Sequence, residues 1–145
     1  MNYRSKFLAL GLIVAAGIAV AKEGVQDPTV KARMDLMGTI AMNTKTLGDM
    51  AGGKTAFSAE DAAAAKAALA AAAADIPAKF EPQATDPVSE AKPEIWTNWD
   101  DFVAKSEGLL KAAEALDTSS VETIQAGMGA IGGACKACHS DYRAM

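Results

Sequence analysis

The stretch SSVETIQAGMGAIGGACKACHSDYR, residues 119–143, decides how this chain is read. Its apolar positions are Val121, Ile124, Met128, Ile131, Cys135, Cys138 and Tyr142. They recur at three- and four-residue steps, the period of one face of a helix. Ser119 and Glu122 have the spacing of a capping box, which predicts where that helix begins. The same stretch holds both cysteines of the chain and its single histidine.

Three further segments have the same periodicity. Asp27-Pro28 is a capping residue followed by a proline suited to the first helical position. From there Val30, Met34, Met37, Ile40, Ala41, Thr44, Leu47 and Ala51 form a stripe that Gly52-Gly53 ends. Ser58, with Asp61 three residues on, predicts a second start. Residues 62–74 are almost pure alanine, a strong helix former that buries little area, so a thin helix covering one side of a bundle is expected. Residues 77–93 carry four prolines and read as a linker, with Phe80 as an anchor onto the core. Ile95, Trp96, Trp99, Phe102, Val103, Leu109, Leu110, Ala113 and Leu116 predict the third long helix. No period-2 stretch and no internal repeat stands out. The expected architecture is all-α, an antiparallel up-down-up-down four-helix bundle.

Residues 1–21 read as a secretory signal peptide. Arg4 and Lys6 are followed by an uncharged run from Phe7 to Val20 and a small-x-small site at Ala19-Val20-Ala21. The run is shorter than the ~20 apolar residues of a spanning helix, which argues against stable membrane insertion. Residues 22–145 are then the single folded domain, in the periplasm. Without the leader, Lys and Arg fall from 14 to 12 against 18 Asp and Glu, a net charge of −6. An acidic domain without a basic cluster argues against nucleic acid as a partner.

Cys135-Lys136-Ala137-Cys138-His139 is C-x-x-C-H, the attachment motif for haem c. Thiols one helical turn apart can each add to a vinyl group of the same porphyrin. His139, the next residue, can then offer a ring nitrogen to the iron. The motif is in phase with the apolar stripe, so the haem is expected inside the bundle. A redox C-x-x-C pair belongs to a β-α-β context that is absent here. A structural zinc site wants four ligands, and the chain has no second histidine or third cysteine. A disulfide between Cys135 and Cys138 would close a very small loop and stabilise little. The Glu-x-x-His pairs of di-iron bundles are missing. With no distal histidine for acid–base work, the chain is not expected to be an enzyme.

On these residues the chain resembles the class II c-type cytochromes, that is, cytochrome c′ and its low-spin c-556 relatives. GGACKACHSDYR (132–143) looks like the family's closing helix. KPEIWTNWDDF (92–102) looks like the start of its third, and RMDLMGTIAMNTKTLGDM (33–50) like its first. Cytochrome c′ is itself a reference case for the up-down-up-down bundle, so the two readings are not independent. The resemblance implies one covalent haem c, an exported electron carrier serving redox partner proteins, and often a homodimer. Cys135 and Cys138 match the thioether cysteines and His139 the axial iron ligand. Arg143 matches a basic residue near the proximal haem face. Arg33 matches an arginine near a propionate, the alternative for both arginines being a solvated surface charge. Met37 falls where low-spin members carry a sixth ligand and where cytochromes c′ carry a residue of an open distal pocket. The first case implies electron transfer. The second implies a five-coordinate iron that binds NO or CO beside Met37, Ile40 and Trp96. Met34, Met42, Met50 and Met128 show that methionine here also serves as plain core filling.

Overall fold

The computed structural model describes residues 24–144; the expected signal peptide lies outside the described residues. Six helices follow in order: α1 (Pro28–Ala51), α2 (Ala59–Ala74), α3 (Ile76–Phe80), α4 (Glu94–Thr97), α5 (Trp99–Ala115) and α6 (Val121–Tyr142). The four long ones form the bundle. α1 packs on α2, α2 on α5, α5 on α6, and α6 back on α1, while the diagonal pairs make no close approach. That is the expected all-α up-down-up-down bundle. No helix among the described residues is long and apolar enough to cross a membrane.

The helix starts follow local chemistry. The Asp27 carboxylate accepts the Thr29 and Val30 N–H groups at 2.8 and 2.9 Å, with Pro28 in the first turn. The Ser58 hydroxyl accepts from the Asp61 N–H at 3.2 Å. These side chains supply partners for amides that have none within the helix. At the end of α1 the chain turns through Gly53, at φ +70°, a conformation that favours glycine. The capping box of α6 is one residue later than Ser119 and Glu122 predicted. Ser120 accepts from the Thr123 N–H at 3.2 Å, and the Thr123 hydroxyl accepts from the Ser120 N–H at 3.1 Å. Ser119 instead donates its N–H to Asp117, at 2.9 Å, in the preceding turn.

Two further expectations change. The proline-rich linker begins with a helical turn, α3, which buries Ile76 and Phe80. The third long helix is broken at Asn98 (φ −123°, ψ 45°) into α4 and α5. The Trp96 indole N–H donates to the Phe80 carbonyl at 2.7 Å, tying α4 to α3. Phe80 is buried as the anchor it was expected to be.

α2 covers the bundle with Ala62, Ala65, Leu69, Ala72 and Ala73, a buried face with one large side chain. On α1 the buried line is Val30, Arg33, Leu36, Ile40, Leu47, Met50 and Ala51. Met34 and Ala41, expected inside, are exposed, and Met37 is half-buried. The apolar pattern alone misplaced this face because one of its central members is an arginine.

Candidate functional site

Cys135, Cys138 and His139 lie in the last two turns of α6. A helix brings residues three and four apart onto one face. Both cysteines are half-buried and pack against the core from that face. They are free thiols. Burial pushes both up, Cys138 to about 11, with Lys105 pulling against it. The thiols are therefore protonated at neutral pH, the opposite of what a reactive redox cysteine needs. No cluster of three or more metal-ligating side chains occurs among the described residues. His139 is exposed as a whole residue. Its ring is nevertheless held below its ordinary value, first by partial desolvation, then by Arg143, with Glu90 opposing. A neutral imidazole with a free lone pair is the form that binds a metal.

Two contacts fix the register of α1 against α6. Gln125 donates its side-chain amide to the Ala51 carbonyl at 2.5 Å. The Met128 methyl lies 3.7 Å from where a Cβ on Gly48 would be. The helices are antiparallel, so each step along α6 is matched by a step back along α1. Eleven residues beyond Met128 is His139, and eleven before Gly48 is Met37. Eleven residues are close to three full turns at 3.6 per turn, so both positions also return to the facing side. In a regular antiparallel helix pair that register would bring Met37 level with His139.

Arg33, one turn before Met37, is only 3% exposed and is no solvated surface charge. Its Nε donates to the Lys79 carbonyl at 3.1 Å and one Nη to Ala84 at 3.2 Å, while the other Nη donates to Pro82. The guanidinium also lies over the Phe80 and Trp96 rings, 5.2 and 5.1 Å from their centroids. Among the described residues it forms no ion pair, since none of the salt bridges involves it. Burial draws its pKa down, and Asp27 only partly offsets that. With three of five N–H donors used, two remain.

Arg143, at the C-cap of α6, turns to Glu90, whose Oε2 accepts from Nε at 2.6 Å and from Nη2 at 2.5 Å. A network that sequence reasoning missed flanks Cys138. Tyr142 donates its hydroxyl to Asp101 at 2.5 Å. Lys105 pairs with Asp101 at 2.8 Å and with Asp141, and lies 5.2 Å from the Tyr142 ring centroid. Phe102 meets that ring edge-on at 5.4 Å. Asp101 and Lys105 are readable as an (i, i+4) pair. Their link to Tyr142 and Asp141 crosses from α5 to α6 and has no local signal. A shallow groove beside this network is lined by Lys92, Asn98, Asp101, Asp141 and Tyr142, and the three motif residues are not part of it.

The donor set suits haem c. Two thiols face the core one turn apart, and a neutral imidazole follows them. Arg33, a buried cation without an ion-pair partner among the described residues, lies one turn before Met37 on α1.

Comparison with known proteins gives the same direction. The family model described as cytochrome C′ matches residues 28–143. A cytochrome c-556 of Agrobacterium tumefaciens (strain apple 185) is 38% identical over 120 residues, covering 79% of this chain and 94% of that protein. The solved cytochrome c′ from Rhodobacter Spheriodes superposes with a TM-score of 0.73 at 28% identity, covering 80% of this chain and 95% of that one. A nitric oxide complex of a cytochrome c prime variant from Alcaligenes xylosoxidans gives 0.71 at 25% identity, covering 81% and 94%. Proteins of this family are periplasmic haem cytochromes of the electron-transfer or gas-binding kind, with one covalently attached haem c. From the bundle, the C-terminal haem motif and a family match over nearly all described residues, it follows that the chain belongs to the cytochrome c′ family of class II c-type cytochromes.

Proposed function

We propose that this chain is an exported electron carrier whose haem c is attached through Cys135 and Cys138. His139 is one axial ligand of the iron and Met37 the other. The observation that supports the reading is the register of α1 on α6, set by Gln125 on Ala51 and Met128 beside Gly48, which in a regular helix pair would bring Met37 level with His139. A methionine thioether opposite an imidazole fills the sixth position and raises the potential. Haem c supplies one-electron exchange. The chain supplies a fixed second ligand, apolar walls and a charge partner. Arg33 is that partner: its two remaining donors point the reading toward a haem propionate, which would neutralise an otherwise unpaired buried cation. Arg143 lies on the proximal side. In this reading the protein passes electrons to partner proteins. Met34 and Met42, exposed on α1, make that helix the candidate face for a homodimer.

The second reading is a five-coordinate iron that binds NO or CO. Its support is the likeness to a cytochrome c prime solved with nitric oxide. Absorption spectra of the haem-loaded protein, oxidised, reduced and reduced with CO, separate the two. A low-spin spectrum unmoved by CO, which becomes high-spin and CO-sensitive in Met37→Leu, is the expected outcome. A native spectrum that shifts with CO would transfer the function to gas binding and make Met37 a pocket wall.

A further inference from the structure

We propose that Glu90 is a positioning residue for the proximal side of the haem: it holds the Arg143 guanidinium in place and thereby sets the iron's reduction potential. The inference rests on the reading of His139 as axial ligand.

The last turn of α6 is strapped from outside by residues 90–92. The Lys92 N–H donates to the Tyr142 carbonyl at 3.0 Å, and the Ala144 N–H donates to the Glu90 carbonyl at 2.8 Å. Between them Ala91 and Arg143 pair as an isolated antiparallel bridge. This is the one place among the described residues where the backbone pairs as in a sheet. It lies immediately after the haem motif, where a helix end would otherwise fray.

The bridge sets Glu90 and Arg143 side by side. Both groups are about half exposed, and an isolated surface pair of that kind contributes little to stability. Stability is therefore a poor reason for the pair. Its geometry is specific instead, since two guanidinium nitrogens converge on one carboxylate oxygen. The backbone pairing on both sides has already fixed the two Cα positions, so little further ordering is needed.

Arg143 lies one turn after His139, and its backbone N–H donates to the His139 carbonyl at 3.2 Å. Its guanidinium and the Glu90 carboxylate beside it act with opposite sign on charge held at that turn. Ferric haem carries one more positive charge than ferrous. A guanidinium held against a carboxylate opposes the ferric state less than one left free. Glu90 therefore keeps the potential low, and it does so through Arg143.

Redox titration of haem-loaded Glu90→Asp, Glu90→Gln and Arg143→Gln, with the double variant Glu90→Asp/Arg143→Gln, tests this. Aspartate keeps the charge but lacks the reach. The midpoint should rise in Glu90→Asp and Glu90→Gln, and Glu90→Asp should have no effect once Arg143 is glutamine. A Glu90→Asp midpoint equal to the native one would overturn the positioning role and leave only a direct charge effect. So would a change in the denaturation midpoint with no change in potential, which would make the pair a structural tie. Haem staining of the denatured native protein is the control. Its failure would remove the haem reading itself, whereas a stained protein with an unmoved Glu90→Asp midpoint would remove this inference alone.

Discussion

Replacing Arg33 by methionine gives the most demanding check on the bundle. The methionine keeps much of the apolar stem and removes the guanidinium. Three hydrogen bonds disappear, to the carbonyls of Lys79, Pro82 and Ala84. Bonds from a charged donor contribute about 1.5–3 kcal/mol each. The contacts with the Phe80 and Trp96 rings go as well, at about 0.5–2 kcal/mol for a desolvated cation. Two effects offset this. Pro82 is exposed and Ala84 partly so, which lets water take over their carbonyls. Burying the guanidinium charge is itself unfavourable, and that desolvation draws its pKa down. The net expected loss is about 2–4 kcal/mol. With a urea slope of about 1.5 kcal/mol per molar, the midpoint should fall by about 2 M. Urea denaturation of the haem-loaded protein, followed by far-ultraviolet circular dichroism, reads it. Arg33→Lys should lie between, because a single ammonium cannot span three diverging carbonyls. A loss below about 1 kcal/mol would refute the view that Arg33 holds residues 79–84 onto α1. A moved reduction potential with an unmoved urea midpoint would mean that the charge serves the haem and not the loop.

Two glycines of α6 should respond in opposite directions to alanine. A Cβ on Gly129 meets nothing within 4 Å, so Gly129→Ala should raise the thermal midpoint through a helix-propensity gain of about 0.5–1 kcal/mol. A Cβ on Gly127 would overlap the Cδ1 of the buried Leu116 side chain, so Gly127→Ala should lower it, overpacking at about 1–3 kcal/mol exceeding the same gain. Equal shifts in one direction would contradict the close approach of α6 to Leu116. Tyr142 should titrate at about 12, because its hydroxyl is bonded to the Asp101 carboxylate. A group raised in the folded state stabilises fully below its unfolded value of about 10 and loses that contribution as pH rises toward the folded value. Carbon-13 NMR of the tyrosine ring should show this, with Asp101→Asn returning the transition toward about 10; a native midpoint already near 10 would mean that the Tyr142–Asp101 bond does not persist in solution.

What the sequence could reveal tracks how local each determinant is. C-x-x-C-H was legible because its chemistry lies within five consecutive residues. The starts of α1 and α2 were legible because Asp27 and Ser58 act on amides two or three residues away. The start of α6 slipped by one position because two adjacent serines each have a plausible partner three residues on. Geometry, not spacing, chose Ser120 and Thr123. Arg33 was legible as a residue and illegible in its role. Its partners are three carbonyls of a segment about fifty positions away, and every residue type has a carbonyl. The same holds for Glu90 and Arg143, which meet only because a strap of backbone brings them together.

The motif end of the bundle carries more directional ties between elements than the far end, where Gln125 on Ala51 is one. Away from the motif, Leu47, Leu116 and Ile124 close the four helices with aliphatic side chains that reach almost no solvent. At the motif end the ties are directional. Arg33 grips three carbonyls, Trp96 bonds to Phe80, Tyr142 bonds to Asp101, and Lys92 pairs with the end of α6. The rings of Phe80, Trp99 and Tyr142 gather around Phe102, on the side of α5. None of these groups bridges α1 and α6. An interior that is to receive a flat apolar cofactor cannot also be the contact that holds its walls together, since filling it with side chains would close the seam. Hydrogen bonds and ion pairs on the periphery can fix the walls without filling that interior with side chains. A cofactor bound only by the folded bundle would add its own stabilisation to that of the side chains buried at this end, Ile95 and Phe102 among them.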